Sequence, residues 1–254
     1  MSVKKITSSQ NEYIKMLSKL KTKKYRDELS LFTIEGERSC REAISSDFSV
    51  HSVVMSENYY KKCDLDFEEY DAIVTPDKIF DSLSDTKTPQ GVMVVLKIPD
   101  SKEINEGRYI YCDCIQDPGN AGTIIRSADA FGFSGVIFSQ NSVDVFSPKV
   151  IRSTMGSIFH IDILTNKDAS YLCEMKEKGF FITASALSGE SRNSKNMTIL
   201  KNQIFVIGNE GAGVSEEILS LADEIVHIKM QGAAESLNAS VAASVLMYEV
   251  SHHE

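Results

Sequence analysis

A chain of 254 residues with 42% hydrophobic and 25% charged residues suits one large or two modest globular domains and excludes a disordered or fibrous protein. No stretch approaches the roughly 20 consecutive apolar residues of a membrane span, and the polar start MSVKKITSSQNEY lacks a signal-peptide core, which points to the cytoplasm. The formal charge is −9, yet residues 1–26 hold Lys4, Lys5, Lys15, Lys19, Lys21, Lys23, Lys24 and Arg26 against Glu12 alone. Such asymmetry marks either a local contact with a polyanion or a solvated helix face, and the lysines by themselves do not separate the two.

In chain order, Tyr13, Ile14, Leu17 and Leu20 repeat at helical spacing among those lysines, predicting one amphipathic basic helix with its charge outward. Short strands and helices then alternate: LFTIE, a helix over 37–45, VHSVVMS, a helix near Glu57, AIVT, the helix PDKIFDSL, and the strand GVMVVLKI. This predicts a first α/β domain over 1–100, followed by a polar linker at 101–107. From 108 to 254 the alternation restarts with YIYCDCI, a helix over 120–131 ended by Gly132, GVIFS, a helix over 148–158, HIDIL, a helix over 169–178, FFITASA, IFVIG, a helix over 214–221, EIVHIK and a last helix over 237–250. Six strands with helices between them predict a mostly parallel sheet covered on both faces.

Five cysteines without a C-x-x-C pair fit reduced thiols, and Cys112 and Cys114 are expected on one buried face of their strand. His51, His160, His227, His252 and His253 have no metal-ligand spacing, so no metal is expected.

Open parallel sheets bind ligands beyond the carboxyl ends of their strands, which singles out three loops. In QDPGNAGTIIRSADAFG (116–132), Asn120 is a candidate helix cap, and Arg126 projects off the buried stripe beside Asp129, three residues on. In IGNEGAGVSEEI (207–218), a glycine-rich turn follows a strand, but no Lys follows the last glycine and Glu216 stands where a dinucleotide fingerprint has its third glycine. With Glu210 inside it, this loop suits a cationic or neutral ligand, not phosphate. In MQGAAESLNASVAASVLMYEV (230–250), small residues make the start of the last helix slim, with Ser236 or Asn238 as its cap.

Together, NAGTIIRSADAFG from Asn120, IGNEGAGVS from Ile207 and IKMQGAAESLNASVAA from Ile228 resemble, in order and spacing, the three signature motifs of the SpoU (TrmH-like) branch of the SPOUT RNA methyltransferases. SPKVIRSTMGSIFHI (147–161) looks like the stretch that family carries between its first two motifs. NEYIKMLSKLKTKKYR, LFTIEGERSCREAI and SDTKTPQGVMVVL resemble, more loosely, its ribosomal-protein-like substrate-binding domain.

The resemblance implies a deep trefoil knot in the C-terminal parallel-sheet domain, a homodimer formed through that domain, and methyl transfer from S-adenosylmethionine to a ribose 2′-hydroxyl of RNA, either ribosomal or transfer, with the accessory domain favouring ribosomal RNA. It implies a cofactor slot at Ile207, Gly208, Asn209, Gly211, Ile228, Met230, Ser236 and Leu237. Arg126 would be the central catalytic residue, with Asn120, Glu210, Ser236 and Asn238 around it and Glu210 holding its guanidinium. Lys15, Lys19, Lys23, Lys24, Arg26 and Arg152 become candidates for RNA contact. A side-chain pKa above 12 makes deprotonated arginine expensive, so a cationic Arg126 that stabilises the developing alkoxide stands beside its role as general base. The rivals are a non-catalytic RNA-binding protein with the same fold and a relative that methylates a base. A nucleotide hydrolase is disfavoured by the missing lysine.

Overall fold

The computed structural model describes residues 3–65, 67–187, 191–233 and 236–252. Ala234 and Glu235 of the third motif and His253 lie outside them. The chain divides into two compact units, one of residues 1–100 with 146–159, the other of residues 101–145 with 160–254. The segment 146–159 thus clusters with residues far upstream of the boundary expected from sequence. Residues 101–107 belong to the second unit: Ile104 is buried in its core and Lys178 pairs with Glu103 at 2.6 Å.

The first unit runs β1 (Val3–Lys5), α1 (Glu12–Lys19), α2 (Lys23–Leu29), β2 (Leu31–Glu35), α3 (Glu37–Ile44), β3 (Val50–Ser56), α4 (Glu57–Tyr60), β4 (Ala72–Thr75), α5 (Asp77–Leu83) and β5 (Val92–Lys97). The strands form a sheet in the order β1-β4-β3-β5-β2, with β5 antiparallel to both neighbours. Ile14, Leu17 and Leu20 pack with Phe80, Leu83 and Val95 on one face of it. The edge strand β1 has no apolar alternation, which is why VKK does not read as a strand. In the added segment Phe146 packs on Phe32 (ring centroids 5.0 Å apart) and Phe159 on Phe48 (5.1 Å), anchoring both of its ends.

The single basic helix expected from sequence is two helices, and the reason is Arg26. Its guanidinium is buried (3% exposed) and donates to the carbonyl of Leu20 at 2.5 Å, closing the end of α1 from the side of α2. Arg26, expected from sequence to face RNA, is instead buried and engaged inside the first unit. Arg26→Ala should destabilise the first unit by about 1–3 kcal/mol, because a buried carbonyl loses a charged donor. Chemical denaturation followed by circular dichroism measures this. Several neighbouring cations are also engaged: Lys23 pairs with Asp27 (2.7 Å), Lys19 and Lys24 lie over the Tyr25 ring, and Arg152 pairs with Asp85 (2.8 Å). Lys15 is exposed.

The second unit contains β6 (Arg108–Cys112), α6 (Pro118–Ala130), β7 (Gly135–Ser139), β8 (Asp162–Lys167), α8 (Ala169–Glu177), β9 (Phe181–Ser185), β10 (Arg192–Asn193), β11 (Gln203–Ile207), α9 (Glu216–Leu221), β12 (Glu224–His227) and α10 (Ala239–Ser251). The intervening helix α7 (Pro148–Thr154) belongs to the first unit and is shorter than the expected 148–158, ending in left-handed Met155 and Gly156. The seven strands run parallel in the order β10-β12-β9-β11-β6-β7-β8. The chain builds β6, β7 and β8 outward, returns to lay down β9, and later inserts β11 between β9 and β6. That reversal is a topological switch point, and the register sets Ile207 opposite Cys112, so the carboxyl ends of β6 and β11 coincide.

Tyr111, Ile182, Ile204 and Val206 face a core shared with Leu172 and Ile218 of α8 and α9. Alternation turns Ile110 and Phe205 to the opposite face. Helices α6 and α10 pack against each other through small residues: Ser127 Oγ and Ser244 Oγ are 2.7 Å apart, and Ala243 is fully buried. Among the described residues no helix is long and apolar enough to cross a membrane.

Candidate functional site

Asp117 caps α6, its carboxylate accepting from the Asn120 N–H at 2.9 Å. Asn120 is thus not the cap; it sits in the first turn, and its amide bonds residues of the other two loops. Strand β6 ends at Cys112, and Cys114 turns out of the strand in a left-handed conformation (φ 57°), so the two thiols do not share a face. Full burial pushes the Cys112 thiol up, as expected of an inert core residue.

The second loop is a tight hairpin beyond β11. Asn209 and Gly213 exchange backbone hydrogen bonds of 3.0 and 2.8 Å, which leaves Glu210, Gly211 and Ala212 at the tip. Asn209 organises the tip, since its side-chain oxygen accepts from Gly211 N (2.8 Å) and its Nδ2 donates to the Cys114 carbonyl (2.9 Å) of the first loop. Gly208 has no alternative: a Cβ there would overlap the backbone of Gly213 and Val214.

The third loop ends at Asn238, the cap of α10, whose Oδ1 accepts from Ser240 N (3.0 Å) and Val241 N (3.3 Å). Its start meets the first loop. Ser240 Oγ lies 3.1 Å from Asn120 Oδ1 and 2.7 Å from Asn238 Oδ1, so one hydroxyl proton serves two amide oxygens. Asn120 Nδ2 in turn donates to the Glu210 carboxylate. Asn120, Glu210, Asn238 and Ser240 are therefore one network joining all three loops. Ser240, only 6% exposed, was missed in the sequence because a serine inside a small-residue stripe reads as packing.

Beside this network opens a cavity of about 490 Å³ over the carboxyl ends of β9, β11 and β12. Ile207, Gly208, Asn209, Ile228, Met230, Ser236 and Leu237 line it, whereas Gly211 does not. Ser185 at the end of β9 and Ala186 and Leu187 after it, with His227, Ala239 and Ala242, add to the wall; β9 carried no unusual loop residue that could have announced it. Among the described lining residues there is no Lys or Arg, while Glu210 and Glu216 are present. Such a cavity rejects phosphate and accepts a neutral ring or a positively charged group.

Arg126 is not part of this constellation. It is exposed on α6 with no hydrogen-bond or ion-pair partner among the described residues. Glu210, expected to hold it, is bonded to Asn120, and Asp129, three residues on, pairs with His160 at 3.0 Å.

The SpoU rRNA methylase family model matches residues 107–248, and an MRM3-like substrate-binding domain model matches residues 11–94. The chain is 34% identical over 98% of its length, and 99% of the relative's, to the 23S rRNA (guanosine(2553)-2′-O)-methyltransferase RlmP of Bacillus subtilis. Among solved structures, an AdoMet-bound rRNA methyltransferase from Sinorhizobium meliloti superposes with a TM-score of 0.89 at 28% identity, covering 99% of this chain and 98% of that one. A protein of the TrmH family from Porphyromonas gingivalis gives 0.87 at 27% identity, covering 97% and 100%. With both halves matched in order, and the three loops carrying the family's motifs joined around one cavity, the chain belongs to the SpoU rRNA methylase family and is an RNA methyltransferase.

Proposed function

We propose that the protein transfers the methyl group of S-adenosylmethionine to a ribose 2′-hydroxyl of 23S ribosomal RNA, working in the cytoplasm. The observation that carries the cofactor assignment is the cavity whose described lining includes Gly208 and neither Lys nor Arg. Ile207, Ile228 and Leu237 offer apolar contact to adenine, main chain around Gly208 meets the ligand closely, and Glu210 and Glu216 favour its cationic groups. When bound, the cofactor supplies an electrophilic sulfonium methyl. What the protein adds is alignment of the ribose oxygen and help with the departing hydroxyl proton.

Asn120, held between Glu210 and Ser240, is poised to present one amide to the substrate at the rim of the cavity. Ser236 is a further candidate for positioning the ribose. Arg126 serves as the cation that stabilises the developing alkoxide and the neighbouring phosphate. Its exposed position, without a partner among the described residues and outside its own protomer's cavity lining, supports a site completed across a homodimer, in which one subunit's Arg126 reaches the ribose beside the other's cofactor. Val241 and Tyr248, 46% and 52% exposed on α10, are apolar surface suited to that contact. The insertion of β11 between β6 and β9 supports the trefoil knot that the family carries.

Transfer of tritiated methyl to unmodified 23S ribosomal RNA, with transfer RNA as the competing substrate, tests the RNA assignment. Label in 23S RNA supports it, and preferential label in transfer RNA overturns it. Ser240→Ala separates positioning from binding. With the cap bonds of Asn238 retained, kcat should fall about 3- to 10-fold while cofactor affinity stays within about twofold. Steady-state kinetics with isothermal titration checks both.

A further inference from the structure

In the first unit an open depression with a volume of about 860 Å³ lies beside the amino end of α3, within the size range of small-ligand sites. Arg38 and Lys62 line it, both exposed and without an ion-pair partner among the described residues. Arg41 is different: it is paired with Glu37 (2.9 Å) and with Asp64. Lining residue Tyr59 is 5% exposed, yet its hydroxyl has no oxygen or nitrogen partner among the described residues and only the Cys63 thiol beside it, an uncommon condition for a buried phenol. Gln90 accepts the first N–H of α3 at 2.8 Å and leaves its own amide N–H groups for another partner. Glu37 and Glu42 complete the charged lining, so the cavity mixes cations with carboxylate acceptors.

This mixture separates the candidate ligands. A bare phosphate would meet two carboxylates, and a lysine-rich peptide would meet unpaired cations. A nucleotide satisfies both halves, because its phosphate takes the cations while the N–H groups of its base edge take carboxylate and phenol oxygens. Base edges are available for this only where RNA is unpaired. We propose that the cavity holds one unpaired nucleotide of the RNA substrate, with its phosphate at Arg38 and Lys62 and its base edge at Tyr59 and Glu37. The inference rests on the reading of the protein as an RNA methyltransferase, and it moves the RNA-recognition site away from the lysines of α1 and α2, several of which are engaged within the protein.

The test uses the full chain, S-adenosylmethionine and in vitro transcribed 23S ribosomal RNA of Bacillus subtilis, comparing wild type with Arg38→Ala/Lys62→Ala and with Tyr59→Phe. The double variant should raise KM for RNA at least about tenfold, with kcat at saturating RNA and cofactor affinity unchanged. It should also flatten the dependence of log K on log salt by about 0.7 for each phosphate that is no longer neutralised. Tyr59→Phe should raise KM about threefold while leaving the melting temperature equal or higher, because it removes an unsatisfied buried hydroxyl; a merely structural tyrosine would lower it. Methylation by wild type with all variants at wild-type KM and salt slope overturns the cavity assignment and leaves the methyltransferase reading intact. If wild type leaves this RNA unlabelled, the substrate assignment fails. The cavity is then decided by affinity for total bacterial RNA, where variants that bind like wild type overturn it and weakened variants uphold it.

Discussion

Arg126→Ala should lower kcat at least about a thousandfold while S-adenosylmethionine binds within about twofold of wild type. The magnitude follows from the proposed role, in which a cation stabilises charge that develops only in the transition state. Cofactor affinity should hold because Arg126 lies outside the cavity lining of its own protomer and, in the proposed dimer, acts on the ribose oxygen and phosphate at the partner's site, not on the bound cofactor. Arg126→Lys should recover little, because a point charge on a flexible stem does not reproduce a planar fork. Mixing Arg126→Ala with a cofactor-binding variant discriminates further. If the arginine acts on the neighbouring protomer, mixed dimers regain one competent site and activity returns to about a quarter of wild type; if it acts within its own protomer, each mixed dimer still lacks a complete site.

Gly208→Ala is the second large effect and acts through backbone alone. The added methyl would overlap Gly213 and Val214, neither of which can rotate away, so the hairpin carrying Glu210 must move as a body. Overpacking of this kind costs about 1–3 kcal/mol. Because the same strand end forms the cavity wall, cofactor Kd should rise at least about tenfold, as titration calorimetry would show. Gly211→Ala is the control. Its Cβ would meet only the Asn209 side-chain oxygen, at 3.5 Å, and cofactor affinity should change less than twofold.

The parallel sheet and its three ligand loops were legible because they rest on local signals: apolar runs for buried strands, glycine where backbones approach, asparagine at a helix start. What escaped depends on partners distant in sequence. Arg26 reads as one more surface cation because nothing local reveals that its guanidinium is buried against Leu20. Asn120 reads as a cap because Asp117, three residues earlier, competes for the same role and wins by bonding the Asn120 N–H. That outcome frees the amide that bridges Glu210 and Ser240, residues 90 and 120 positions away. Within one protomer Glu210 bonds Asn120 and Arg126 has no ion-pair partner among the described residues, so the Glu210–Arg126 contact expected from sequence is not formed inside a single chain. The association of 146–159 with the first unit rests on Phe146 and Phe159 meeting Phe32 and Phe48, pairings too far apart in the chain for any local pattern to reveal.

The most direct test of the central claim is digestion of RNA methylated by the purified protein to nucleosides, followed by mass spectrometry of the methylated product. A 2′-O-methylnucleoside, formed by wild type and absent with Arg126→Ala, is the predicted result. A methyl group on the base, or no methylated nucleoside although S-adenosylmethionine binds in the cavity, would contradict it.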